Sequence, residues 1–289
     1  MRSSPVRTFG LIGLAAALAF AGGVPGRHAN GQDPTPSAKD KDAEERARRL
    51  AEMEELAHSL KVVAVDEQGK ETPATLAKEP LHRWTDPTRA FSVGSLWAWK
   101  VSGRPVAVVG IELYALWSLE FVSLSTGLVR AEDGSIRWAP TKAGVAFSAI
   151  PDAPTPAASE AGRLRQMRDL APRFSGREYW DKQHYALRLL PHPIDRYSDP
   201  ASGVVDGALF IYANGTNPEI LLMIEARRTG DGPPQWSFAA APLSHAEVTL
   251  KLGERDVWRA PSKDMGQPIR PSDPYYDILT SRRVPARSR

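Results

Sequence analysis

The chain has no cysteine among its 289 residues. This absence excludes disulfide bonds, thiolate metal ligands, cysteine nucleophiles and a lipid anchor attached to cysteine. Without such cross-links, the fold must be held together by the burial of apolar side chains, for which a chain of this length is large enough.

Long apolar runs are lacking, except near the N terminus. Residues 1–21 combine Arg2 and Arg7 with an apolar run and an A-x-A motif at 19–21, which is typical of a cleavable signal peptide. The run is too short to span a bilayer. We therefore predict a chain that is exported, periplasmic or secreted, with no membrane span after cleavage. Residues 22–41, rich in Gly and Pro, are predicted to be a disordered linker.

An excess of one charge sign is also lacking. The formal net charge is +3, and loss of Arg2 and Arg7 with the signal peptide lowers it to +1. Basic residues are interspersed with acidic ones and form no stripe that would follow a phosphate backbone. The sequence therefore predicts no nucleic-acid partner.

The usual catalytic and phosphate-binding signatures are missing. The sequence has no H-E-x-x-H, G-x-S-x-G, S-x-x-K, G-x-x-x-x-G-K or G-x-G-x-x-G motif. No cofactor or metal is predicted, and the sequence favours a protein that is not an enzyme without deciding the question.

What the chain does contain is a repeated segment. Residues 83–112 read R-W-T-D-P, a spacer, G-S-L-W-A-W and a strand ending I-E; residues 196–225 read R-Y-S-D-P, a spacer, G-A-L-F-I-Y and I-E again. The identical pairs are Arg83/Arg196, Asp86/Asp199, Pro87/Pro200, Gly94/Gly207, Leu96/Leu209, Pro105/Pro218, Ile111/Ile224 and Glu112/Glu225. Such an excess of matches favours an internal duplication.

The flanking sequence extends this match and predicts the fold. Each copy is preceded by apolar residues at helical spacing and followed by alternating strand segments. We therefore predict an α+β fold of two tandem repeats, each an amphipathic helix packed on a curved antiparallel β-meander. Whether the two sheets stay separate or join is left open; joining edge to edge is favoured because it removes exposed edges. The predicted organisation is signal peptide 1–21, linker 22–41, repeat 42–150, linker 151–158, repeat 159–280 and disordered tail 281–289.

Most aromatic residues suit a core better than a binding surface. Seven of the eight tryptophans have an aromatic residue at the matching position of the other copy, which is what shared packing requires. Only Trp180 has no counterpart, and it is our candidate for a surface binding contact.

Two charged pairs recur in both copies. Arg83 with Glu112, and Arg196 with Glu225, are predicted to form structural ion pairs; acid–base chemistry by these carboxylates is the alternative. A catalytic role is disfavoured because a catalytic site seldom occurs twice on one scaffold.

Four polar residues without a match in the other copy are weak catalytic candidates: Asp181, His184, Arg188 and Asp206. They carry the alternative that the protein is a hydrolase acting on an extracellular polymer. His184 and His192 share one strand parity, but Pro191 lies between them and their spacing is long for chelation, so no metal site is predicted.

Several motifs together resemble a family of exported bacterial proteins of unknown function. They are R-Q-M-R-D-L-A at 165–171, L-R-L-L-P-x-P at 187–193, R-Y-S-D-P, D-G-A-L-F and N-P-E-I-L-L-M-I-E-A-R at 217–227. The resemblance implies no activity and no site residues. The leading functional hypothesis is an exported, non-catalytic binding or scaffold protein for an unknown ligand or envelope protein; a structural component of the cell envelope is a third possibility.

Overall fold

A computed structural model describes residues 38–66, 68–86, 91–113, 116–134, 136–230, 232–263 and 269–281, without the side chains of 38–42, 86, 91 and 92. The predicted signal peptide, most of the linker 22–41 and all but the first residue of the tail 281–289 lie outside the described residues. So does Pro87, one of the positions that the two copies share.

Each of the two α-helices in the described part of the chain buries one apolar stripe. Helix α1 (Ala38–Ser59) buries Met53, Leu56 and Ala57. These residues recur at intervals of three, four or one, and so lie on one face. Neither described helix combines the length and apolarity that crossing a membrane requires.

Helix α2 (Glu160–Leu170) begins one residue after the predicted start of the second repeat at 159. Ser159 caps it by accepting a hydrogen bond from the backbone N–H of Gly162. The helix ends in a short 3₁₀ turn, Ala171–Arg173, because the proline at position 172 cannot supply a helical N–H.

Nineteen strands make up most of the described chain. They are β1 (Lys61–Val65), β2 (Glu71–Pro73), β3 (Thr75–Leu76), β4 (His82–Asp86), β5 (Phe91–Val101), β6 (Arg104–Leu113), β7 (Trp117–Ser123), β8 (Leu128–Asp133), β9 (Ile136–Trp138), β10 (Ser148–Ala149), β11 (Phe174–Trp180), β12 (Gln183–Leu189), β13 (Asp195–Asp199), β14 (Val204–Asn214), β15 (Asn217–Arg227), β16 (Gln235–Pro242), β17 (Glu247–Leu252), β18 (Arg255–Ala260) and β19 (Tyr275–Thr280).

The strands form three antiparallel sheets. A four-stranded sheet has the order β2-β1-β8-β9, and a six-stranded sheet has the order β19-β7-β6-β5-β3 with β4 also on β5. A nine-stranded sheet has the order β10-β16-β15-β14-β12-β11-β17-β18, with β13 also on β14. The last of these carries apolar residues of β11, β12 and β17 against those of β14 and β15, so it curves around a shared core.

Three apolar clusters hold the layers together. The first joins α1 to the four-stranded and six-stranded sheets. The second joins α2 to the inside of the nine-stranded sheet. The third lies between the six-stranded and nine-stranded sheets, where Leu96 and Val108 meet the layer of Leu209 and Leu221.

The predicted α+β fold of two helix-on-meander repeats is wrong. The described part of the chain is mostly β, with 53% of its residues in strands and 15% in helices. The meander breaks after β7, because β8 pairs with β1 and leaves the six-stranded sheet.

The halves also exchange strands. Strand β10, from the first half, pairs with β16, and β19, from the end of the chain, pairs with β7. The two large sheets pack face to face through the third cluster, whereas edge-to-edge pairing was favoured from the sequence.

The hairpins of the repeated segment share one register. Trp84 pairs with Gly94, which pairs with Glu112 on the next strand. In the other sheet Tyr197, Gly207 and Glu225 pair in the same order. Both hairpins turn at a glycine, since Gly103 and Gly215 adopt positive φ between the strands of their hairpins.

Candidate functional site

A cleft of about 520 Å³ opens where helix α1, strands β4 and β5 and the nine-stranded sheet meet. Helix α1 contributes Ala47 and Leu50, and β5 contributes the buried Val93. Leu190, which follows β12, faces them from the other sheet. These side chains give the cleft apolar walls, and its volume suits a small organic molecule.

Three arginines line the same cleft. Arg46 comes from α1, Arg83 from β4 and Arg188 from β12, and all three side chains are exposed. Within the described part of the chain, Arg46 and Arg83 form no hydrogen bond or ion pair, and Arg188 donates only to the Gly215 carbonyl at 3.1 Å. No carboxylate stands among the described residues that line the cleft.

Two stacked rings form one wall of the cleft. His82 and Trp84 lie with ring centroids 5.9 Å apart and an angle of 13° between the planes. The indole Nε1 donates to Glu112 Oε1 at 2.6 Å. Burial lowers the pKa of His82, so its imidazole is neutral at neutral pH.

A second polar group lies between the six-stranded and nine-stranded sheets. The Tyr275 hydroxyl donates to Glu120 Oε1 at 2.6 Å. Burial, and then the charges of Glu112 and Asp277, raise the pKa of Glu120 well above its ordinary value. Burial and the neighbouring Glu120 likewise raise the pKa of Tyr275.

This group contains a serine, a histidine and an aspartate, the residue types of a hydrolytic triad. Their hydrogen bonds do not connect them in the order that a triad requires. Ser118 Oγ donates to Asp277 Oδ1 at 2.7 Å, and His245 Nε2 lies 2.9 Å from Asp277 Oδ2. The aspartate thus lies between serine and histidine, whereas a nucleophilic serine needs the histidine as its direct partner. Among the described residues, no group of three or more His, Asp or Glu side chains is arranged to hold a metal ion.

The ion pair predicted between Arg196 and Glu225 is not formed. Arg196 binds Asp206, with Nη2 to Oδ2 at 2.7 Å. Glu225 instead accepts from Arg104 Nε at 2.9 Å and from Arg227 Nη1 at 2.6 Å. Arg196 and Glu225 lie on opposite faces of the sheet, because Arg196 pairs with Ala208 whereas Glu225 pairs with Gly207.

The same geometry separates Arg83 from Glu112. Glu112 shares a face with Trp84, which bonds to it. Arg83 is the next residue of the strand, so its side chain lies on the opposite face, and residues of both faces of β4 line the cleft. The predicted ion pair rested on the opposite charges of the two residues. It did not take into account which face of the sheet each side chain occupies.

The structure does not gather the four catalytic candidates. Asp181 and His184 lie at the tip of the β11–β12 hairpin, Arg188 lines the cleft, and Asp206 is buried. Asp206 accepts from Arg163 Nε at 2.8 Å as well as from Arg196, which gives it a structural role.

Trp180 lies on the surface, as its lack of a counterpart suggested. Its side chain is 43% exposed at the hairpin tip, beside the partly exposed Tyr179, whose ring is 4.7 Å from that of His184. The tip is separate from the described lining of the cleft.

Comparison with known proteins adds no relative. No family model, no curated protein and no solved structure matches the chain.

Proposed function

We propose that this chain is an exported, non-catalytic binding protein that holds a small ligand in the cleft between α1, β4 and β12. The observation that carries the proposal is the combination of apolar walls with three arginines that have no carboxylate partner in the described part of the chain. A concave apolar surface with a few polar groups directed into it is the usual form of a ligand site.

The alternative, a hydrolase acting on an extracellular polymer, has less support. Its candidate residues Asp181, His184 and Asp206 lie outside the described cleft lining, and Ser118 has no hydrogen bond to His245. A hydrolase needs a nucleophile or an activated water beside a base, within reach of one bound substrate.

The proposal includes three further points: export of the chain, its membership of the family that its motifs resemble, and its origin by internal duplication. The N-terminal sequence supports export to the periplasm or the medium, where an envelope protein is a possible partner, and the quoted motifs support membership of the exported bacterial family. Eight identical positions and a shared hairpin register support an internal repeat of residues 83–112 and 196–225.

Titration with N-phenyl-1-naphthylamine, an uncharged fluorescent probe, tests the proposed site. We expect saturable binding at one site, which Ala47→Phe weakens because the larger side chain fills the cleft. Ala51→Phe is the matched control, since Ala51 is also exposed on α1 but does not line the cleft.

Equal weakening by the two substitutions would place the probe elsewhere and contradict the proposed site. Binding that never saturates would do the same, because it indicates nonspecific association with apolar surface. A near-ultraviolet circular dichroism spectrum of each variant checks that its aromatic packing is unchanged.

A further inference from the structure

We propose that the ligand of this cleft is an amphiphilic anion, with an acidic head bound by Arg46, Arg83 and Arg188 and an apolar body against Leu50 and Val93. The inference rests on the proposed binding function and adds the chemical class of the ligand. The first support is the absence of a carboxylate partner for the cleft arginines among the described residues, whereas the buried arginines have such partners.

The two arginines that the described chain buries, Arg104 and Arg163, are neutralised by carboxylates of the fold. Arg104 binds Glu225, and both Arg163 and Arg196 bind Asp206. The cleft arginines come from three separate elements and have no such partner among the described residues. Three like charges facing one cavity repel each other, and an anion bound between them removes that repulsion.

Apart from the arginines, few polar side chains of the cleft are free to bind a ligand, the Thr85 hydroxyl among them. The Trp84 indole N–H is already donated to Glu112, and the Thr216 hydroxyl is already donated to the Thr85 carbonyl. His82 is neutral and stacks on Trp84. The guanidinium groups are therefore the main donors, and guanidinium favours carboxylate, sulfonate and phosphate groups over uncharged ones.

The apolar walls exclude a fully hydrated ion as the preferred ligand. Inorganic phosphate would bury no apolar surface of Ala47, Leu50, Val93 and Leu190. An alkyl or aromatic body would bury that surface, which stabilises the complex by about 25 cal/mol per Å² of apolar surface. An acidic head on an apolar body uses both kinds of wall.

A pair of probes with one ring system tests the charge requirement. Anilinonaphthalene-8-sulfonate carries a sulfonate that N-phenyl-1-naphthylamine lacks. We expect the sulfonate to bind more tightly, and added salt to reduce this preference because the arginines are exposed. The double substitution Arg83→Gln with Arg188→Gln should weaken the sulfonate by about tenfold or more, the effect of losing at least one charged hydrogen bond, and leave the neutral probe unchanged.

Arg137→Gln is the control, because Arg137 is an exposed strand arginine outside the described cleft lining. It should leave both probes unaffected. If neither probe binds wild-type protein, the proposed function fails. If both bind equally and the double substitution changes neither, the binding site stands and the anion inference is overturned.

Displacement of the sulfonate probe distinguishes two sources of such an anion. Displacement by decanoate supports a soluble acid, and displacement by phosphatidylglycerol vesicles but not by decanoate supports a lipid headgroup. Displacement by decanol as effectively as by decanoate overturns the inference, since the two differ in charge and share the alkyl chain.

Discussion

Gly94 and Gly207 are glycines because an aromatic ring lies across each of them. A Cβ on Gly94 would come within 2.3 Å of the Trp84 ring, and one on Gly207 within 2.6 Å of the Tyr197 ring. The Tyr197 hydroxyl donates to the fully buried Glu225 at 2.9 Å. The glycine, the ring and the carboxylate therefore form one packed unit in each sheet.

We expect Gly207→Ala to lower the free energy of unfolding by about 1–3 kcal/mol, as overpacking typically does. The new methyl group displaces the Tyr197 ring and weakens its hydrogen bond to Glu225. Urea unfolding measures the change, and Gly232→Ala is the control because its nearest neighbour would be 3.6 Å away. Equal stabilities for the two variants would contradict this account.

Glu120 makes the protein sensitive to pH. Its pKa in the fold lies above the ordinary value of 4.5, chiefly because of burial and then because of Glu112 and Asp277. The folded state therefore holds this proton more tightly than the unfolded state. The contribution of Glu120 to stability is therefore largest at low pH. It falls as pH rises from about 4.5 toward the pKa of Glu120 in the fold.

We expect Glu120→Gln to raise the free energy of unfolding at pH 7, because the amide has no charge to bury beside Glu112 and Asp277. The amide oxygen still accepts from Tyr275. Its stability should decline less than that of wild type above about pH 4.5 in urea unfolding measured at several pH values. Glu132→Gln, at an exposed position of β8, should keep the wild-type slope; an unchanged slope in Glu120→Gln would refute the assignment.

At the scale of elements, helix α2 is anchored to the nine-stranded sheet by ionic contacts. Asp206 of β14 binds Arg163 of the helix and Arg196 of β13. Arg163 also donates to the carbonyl of Ala158 just before the helix, and Arg196 donates to that of Glu160. One carboxylate thus fixes the start of the helix.

We expect Asp206→Asn to destabilise the protein by about 3 kcal/mol, because two arginines lose their buried counter-charge. In this variant, the backbone amides of α2 should exchange with solvent faster than in wild type, and by a larger factor than those of β15. Asp169→Asn, at an exposed site on the same helix, is the control. Unchanged exchange in α2 would contradict the anchoring role.

Local elements were predictable from the sequence, whereas their assembly was not. Apolar residues at helical spacing and alternating strand segments act on neighbours in the chain, so their patterns predicted the helices and strands. The pairing of β8 with β1, and of β19 with β7, joins distant segments whose alternation of apolar residues suits several partners. The prediction of two helix-on-meander repeats failed for this reason.

At the scale of the whole molecule, the two large sheets share a core. Leu96, Leu209 and Leu221 are fully buried between them, and Lys100 Nζ forms an ion pair with Asp195 Oδ1 across the same boundary at 2.6 Å. Strands β10 and β19 each complete the sheet of the other half. Neither half has a complete core without the other.

We therefore expect urea unfolding in a single transition, with coincident tryptophan fluorescence and far-ultraviolet circular dichroism. Leu221→Ala should destabilise that transition by about 2–5 kcal/mol without splitting it. Two separate transitions, of which Leu221→Ala shifts only the one that belongs to the C-terminal half of the chain, would mean that the halves unfold independently.

The cleft also belongs to the scale of the molecule. Arg46, Arg83 and Arg188 are far apart in the chain and follow no motif, so their convergence emerges only from the packing of α1 against both sheets. Of the site residues named from the sequence, Arg83 and Arg188 line the cleft, although each was assigned a different role.

A crystal structure with bound anilinonaphthalene-8-sulfonate would locate the ligand site of this chain. We expect the rings against Val93 and Trp84, with the sulfonate oxygens within hydrogen-bonding distance of Arg83 or Arg188. A probe bound at the exposed Trp180 hairpin, with the cleft empty at saturating concentration, would contradict the proposed site.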